Sequence, residues 1–93
     1  MRLNEVMKIT RLTKKAIRYY EEKELIHPTI DDDISYKNYS EGDVSRLNQI
    51  ALLRNMDMSV GDIKTYLDAP ECKDEMLREY LVKIEANIKR YND

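Results

Sequence analysis

Residues 8–18 hold five cations, Lys8, Arg11, Lys14, Lys15 and Arg18, and no acid. Tyr19 and Tyr20 follow directly. Long cationic side chains donate to phosphate oxygens and to base edges, and Lys15 can reach guanine O6 and N7. A second cluster, Ser35, Tyr36, Lys37 and Tyr39, could touch phosphates as well. The chemistry these residues suit is binding of a polyanion. The formal net charge of −2 argues mildly against it, but such binding needs a local basic face and not a basic protein.

Catalysis is a poor fit. One His, one Cys and no clustered acid/base pair leave no nucleophile or base to assign, so no enzyme is expected. Gly42 and Gly61 are the only glycines, so no phosphate-cradling glycine loop is present. Cys72 excludes an internal disulfide, and with one His it makes no metal site within one chain. Three consecutive aspartates, Asp31, Asp32 and Asp33, have diverging side chains and read as a solvated turn tip. No cofactor and no metal are expected. No apolar run approaches a membrane span and no signal peptide is visible, so a cytoplasmic location is expected.

The elements that must carry these residues can be read from caps and periodicity. With 42% hydrophobic and 37% charged residues the chain suits a soluble helical protein and not a disordered tail. Asn4 is expected to cap a short helix through about residue 10. Arg11 and Leu12 form a tight turn, and Thr13 caps a second helix to about Lys23. Ala16, Ile17 and Tyr20 share one face of it, while Lys15, Arg18, Tyr19 and Glu22 share the other. Two short helices so joined suggest a helix-turn-helix whose second helix enters the major groove. An ordinary helical hairpin with a solvated charged face has the same spacing.

Pro28 disfavours helix at His27. Residues 29–38, with Ile34, Tyr36 and Tyr39 around the acidic centre, read as a two-stranded hairpin. Ser40 with Asp43, and Ser59 with Asp62, are capping-box signatures that open a third and a fourth helix. Val44, Leu47, Ile50, Ala51 and Leu53 are the expected core face of the third, and Ile63, Tyr66 and Leu67 that of the fourth. Pro70 stops the fourth. Leu77, Leu81, Ile84, Ile88 and Tyr91 are then spaced four, three, four, three, a heptad seam. Such a stripe either folds back on its own domain or pairs with a copy. A chain of 93 residues has a marginal core, which favours pairing.

Three segments resemble the mercury-resistance-regulator (MerR) family. They are Ala16-Ile17-Arg18-Tyr19-Tyr20-Glu21-Glu22 with Leu25-Ile26-His27-Pro28; Ser35-Tyr36-Lys37-Asn38-Tyr39-Ser40; and Leu53-Arg54 through Ser59-Val60 to Ile63-Lys64. The resemblance covers roughly residues 1–68, and the heptad helix stands where the family has its dimerisation helix. It implies an all-α fold with a small β-hairpin wing: a winged helix-turn-helix over residues 1–70 and the start of an antiparallel coiled-coil dimerisation helix over 71–93. It implies a homodimeric regulator that binds double-stranded promoter DNA, distorts the spacer and acts on RNA polymerase indirectly. The expected DNA-binding residues are Thr13, Lys14, Lys15, Arg18, Tyr19, Tyr20, Tyr36, Lys37, Tyr39 and Ser59. Of these, Tyr20 is equally suited to core packing. Leu77, Leu81, Ile84, Ile88 and Tyr91 are expected to pair the subunits. The alternatives are an excisionase-like architectural DNA binder and a protein-interaction module.

The sequence departs from the family pattern where glycine is common. Arg11, Glu24, Ser35 and Asp57 stand at those positions. Either these turns adopt other conformations, or each holds a left-handed backbone at roughly 1 kcal/mol. Lys37 stands where the family usually has arginine, keeping the charge without the fork.

Overall fold

The structure, a computed structural model, describes residues 1–31 and 36–92. Asp32, Asp33, Ile34 and Ser35, which carry most of the expected acidic tip and one of the glycine positions, lie outside the described residues. The elements run α1 (Leu3–Thr10), α2 (Lys14–Glu22), β1 (Thr29–Asp31), β2 (Tyr36–Asn38), α3 (Glu41–Asn55), α4 (Val60–Asp68), a 3-10 turn (Pro70–Cys72) and α5 (Lys73–Asn92). β1 and β2 are antiparallel, with Thr29 opposite Asn38, Ile30 opposite Lys37 and Asp31 opposite Tyr36. By packing, the chain divides into Met1–Leu53 and Arg54–Asp93.

In the first unit, periodicity buries one stripe of each helix. Val6, Ile17, Tyr20, Leu25, Ile26, Tyr39, Val44, Leu47, Ile50 and Leu53 are buried. Each large aliphatic among them contributes about 1.5–3 kcal/mol relative to exposure. The turn between α1 and α2 is sealed locally. The Thr10 hydroxyl donates to the Val6 carbonyl at 2.8 Å and accepts from the Leu12 N–H at 3.3 Å. Thr13 then accepts from the Ala16 N–H at 3.1 Å, the cap its sequence predicts. The capping box of α3 closes in both directions. Ser40 N–H donates to Asp43 Oδ2, and Asp43 N–H donates to Ser40 Oγ, each at 3.0 Å.

The first helix differs from expectation. Asn4 is not its cap: the helix begins at Leu3, with Arg2 in the cap position and no side-chain cap bond. The reason lies outside the helix. Met1 pairs with the residue after β2: the Tyr39 N–H donates to the Met1 carbonyl, and the Met1 nitrogen donates to the Tyr39 carbonyl, both at 2.8 Å. That pairing fixes the entry of the chain and puts Asn4 in the first helical turn.

The glycine positions resolve toward strain. Arg11, Glu24 and Asp57 have φ of 60°, 62° and 62°, the left-handed region. The turns therefore keep the conformation that glycine would hold at no steric cost. Compensating bonds surround all three: at Glu24 the N–H donates to Glu21 O at 3.0 Å. Arg11 N–H donates to Met7 O at 2.8 Å, and the Arg54 guanidinium bridges the turn at Asp57 by donating to Met58 O at 2.7 Å.

In the second unit, α4, the 3-10 turn and α5 pack on one another. Met58, Ile63 and Tyr80 are buried. Ser59 caps α4 by accepting from Asp62 N–H at 3.1 Å. The other half of that box is not closed by Asp62. Ser59 N–H points to the Tyr80 hydroxyl at 3.4 Å, and that hydroxyl donates to Asp62 Oδ2 at 2.7 Å. On α5 the heptad stripe divides. Leu77 and Ile84 are half-buried, whereas Leu81 and Ile88 are 52% and 54% exposed, so part of the seam stays open to a partner. The side chain of Tyr91 lies outside the described residues.

Candidate nucleic-acid interface

The second helix presents its two faces as its sequence predicts. Ile17 and Tyr20 are buried, and Lys14, Lys15, Arg18, Tyr19 and Glu22 are exposed. Thr13 is exposed beside them, with its oxygen already accepting as the cap. Among the described residues no ion pair ties down Lys14, Lys15 or Arg18, so this ridge can meet an anion without breaking a contact. Tyr19 is 43% exposed and held upright by the Tyr20 ring, edge-on with centroids 5.7 Å apart. Lys23 Nζ stands over its ring at 5.7 Å.

Beside the ridge lies a cleft of about 630 Å³, lined by Arg2, Leu3, Asn4, Lys14, Arg18, Tyr36, Lys37 and Tyr39. Three parts of the first unit build it: the start of α1, the first turns of α2, and β2 with the residue after it. Four cations and two tyrosines thus converge on one concave surface. Tyr36 is 60% exposed on the wing.

Two of the expected contact residues serve the fold. Tyr20 is 9% exposed and Tyr39 2% exposed, so neither ring is free to lie on DNA. The Tyr39 hydroxyl donates to Glu21 Oε2 at 3.4 Å. Burial, and then the neighbouring Glu21 carboxylate, raise its pKa above the ordinary 10.0, so Tyr39 is a neutral donor near pH 7. Glu21 also pairs with Lys37 Nζ. The wing lysine is thereby tied to α2, a half-exposed pair whose worth is small in water but which sets where the wing charge sits. Ser59 is exposed and is first a cap; its hydroxyl proton remains available as a donor.

Arg2 is the residue that sequence reasoning misses here. Its Cζ lies 4.5 Å from the centre of the Tyr36 ring, across the cleft mouth. A lone arginine before a helix carries no signal of that placement, which depends on the pairing of Met1 with Tyr39. Among the described residues no group of three or more His, Cys, Asp or Glu could hold a metal ion. No helix among them is long and apolar enough to cross a membrane.

Comparison with known proteins gives this surface its context. Residues 1–70 match the family described as MerR HTH family regulatory protein. The HTH-type transcriptional regulator CueR of Escherichia coli O157:H7 is 34% identical over 98% of this chain and 70% of its own length. A probable heavy metal-dependent transcriptional regulator of Haemophilus influenzae is 33% identical over 99% of this chain and 72% of its own. The CueR of Vibrio cholerae (El Tor Inaba N16961) is 37% identical over 72% of this chain, and the match spans only 48% of that protein. In three dimensions the chain superposes on the transcription regulator PbrR691 of Ralstonia metallidurans CH34, solved with lead(II), with a TM-score of 0.78 and 20% identity. That match covers 99% of this chain and 77% of that one and shows the shared winged-helix fold. With a family match over residues 1–70 and an exposed basic ridge on the second helix of the helix-turn-helix, this chain belongs to the MerR family of DNA-binding transcriptional regulators.

Proposed function

We propose that the chain binds promoter DNA as a homodimer and distorts the spacer between the polymerase-contact elements, acting on RNA polymerase through the DNA from within the cytoplasm. The observation that carries this reading is the exposed ridge of Lys14, Lys15, Arg18 and Tyr19 beside a four-cation cleft. Lys15 and Arg18 read or neutralise DNA in the major groove, Lys14 and Thr13 meet phosphate at the start of α2, and Tyr36 and Lys37 follow the backbone from the wing. The Ser59 hydroxyl donates to a phosphate from the start of α4. Tyr20 and Tyr39 hold these groups in place from the core. Residues 1–70 form the DNA-binding part. In 71–93, Leu77, Leu81, Ile84, Ile88 and Tyr91 set the distance between two ridges by pairing the α5 helices. Smooth bending of such a site costs on the order of 1–6 kcal/mol, offset by contacts on both half-sites.

Selection of bound sequences from random duplex DNA tests symmetry and half-site spacing together. The expected result is an inverted repeat, and an Arg18→Ala/Tyr19→Ala protein that loses at least about tenfold in affinity. Unchanged affinity in that variant, or single unpaired half-sites, would overturn the reading.

A further inference from the structure

We infer that Arg2 is an additional DNA-phosphate contact, positioned by the wing residue Tyr36; this rests on the DNA-binding reading above and adds a residue to it. Three observations converge. Arg2 is exposed and lines the same cleft as Lys14, Arg18 and Lys37. Its guanidinium carbon lies 4.5 Å from the centre of the Tyr36 ring, and that ring is itself 60% exposed on the wing. The backbone that carries Arg2 is pinned beside β2 by the two bonds between Met1 and Tyr39, with the Met1 nitrogen also donating to Asn38 Oδ1 at 2.7 Å.

The physical consequence follows from what arginine can do on a ring. A guanidinium over an aromatic face keeps its N–H donors around its edge, because the attraction to the ring uses the π-face and not those hydrogens. The contact also removes much of the side-chain freedom that binding would otherwise have to remove. Among the described residues that line the cleft there is no acid, and Glu21, beside it on α2, is engaged by Lys37 and Tyr39. Arg2 therefore stands as a pre-ordered cation between the wing and the second helix of the helix-turn-helix. It meets the backbone of whatever sequence the ridge reads, so it adds affinity without adding sequence preference.

The experiment measures the affinity of the full chain for a mixed-sequence duplex and for a duplex recovered by selection, each across a salt series. Arg2→Ala is expected to reduce the slope of log affinity against log salt by about one per protomer, and to weaken both duplexes by a similar factor of roughly ten. Arg2→Ala combined with Tyr36→Leu is expected to lose less than the product of the two single losses, because both remove one interaction. A wild-type slope in Arg2→Ala, or multiplicative losses in the double variant, overturns the inference and leaves DNA binding intact. Absence of salt-dependent binding by the unmodified chain overturns the DNA-binding reading itself. Thermal unfolding of Arg2→Ala matching that of the unmodified chain separates lost contact from lost fold.

Discussion

α3 and α4 open on the same pattern, a serine followed three residues later by an aspartate, and they close their caps differently. At α3 the pair is self-sufficient: Ser40 and Asp43 exchange two bonds of 3.0 Å, and Asp43 is buried. At α4 only the serine oxygen does its local job. The return bond is handed to Tyr80 of α5, whose hydroxyl stands between Ser59 N–H and Asp62. A capping motif thus guarantees a helix start, since four N–H groups there need acceptors whatever surrounds them. It does not guarantee which acceptors are used. Where a packed tyrosine reaches the cap, the helix start becomes dependent on a residue 21 positions away.

Tyr80→Phe should break the comparison most strongly. It keeps the ring, which is 6% exposed, and removes the bridge to a carboxylate, for a loss of about 1.5–3 kcal/mol in urea unfolding. A loss near zero would mean Asp62 turns back to Ser59 unaided. The same variant has a signature at high pH. The Tyr80 pKa is raised above 10.0, first by the hydrogen bond to Asp62 and then by burial. The protonated form is the one the fold favours, so its stabilisation is full below pH 10 and is lost as pH rises through the raised value. Tyr80→Phe should flatten that alkaline loss, leaving the part owed to Tyr39, which is raised in the same sense. Unfolding midpoints across an alkaline series check this.

A smaller effect is expected at the self-sufficient cap. Asp43→Ala leaves Ser40 N–H without its acceptor at a cost of about 1 kcal/mol, and Asp43→Asn should recover part of it by restoring an oxygen. If Asp43→Ala were the more damaging of the two, the long-range bridge at α4 would be incidental. Least affected should be Ser59→Gly, at about a few tenths of a kcal/mol, because glycine also suits the cap position and the Tyr80 bridge is untouched. A Ser59→Gly loss as large as that of Tyr80→Phe would put the weight of the α4 cap on the serine oxygen.

Much of the candidate interface was legible because α2 is short and its faces are set by helical period alone. Ile17 and Tyr20 inside, with Arg18 and Tyr19 outside, follow from their spacing once Thr13 starts the helix. Tyr39 shows where reading by residue type misleads: its hydroxyl suits a phosphate, yet the residue is buried, whereas the burial of Tyr20 was already one of the two readings its helical position offered. The heptad on α5 was legible as a stripe. Tyr80, one position ahead of Leu81, was not, since an apolar seam gives no hint that a neighbouring hydroxyl will cap another helix.

What the chain order of residue types determined by itself was local: the caps at Thr13 and Ser40 and the exposed cationic ridge, whereas the left-handed turns at Arg11, Glu24 and Asp57 were decided by the structure. The caps and the ridge are decided within a few residues by hydrogen-bond geometry and steric period. Tertiary structure alone decided which cations share the cleft, that Met1 pairs with Tyr39 and so carries Arg2 to Tyr36, and that Tyr80 completes the α4 cap. Those outcomes depend on where distant segments meet once apolar faces are buried. No spacing along the chain encodes a distance across the core.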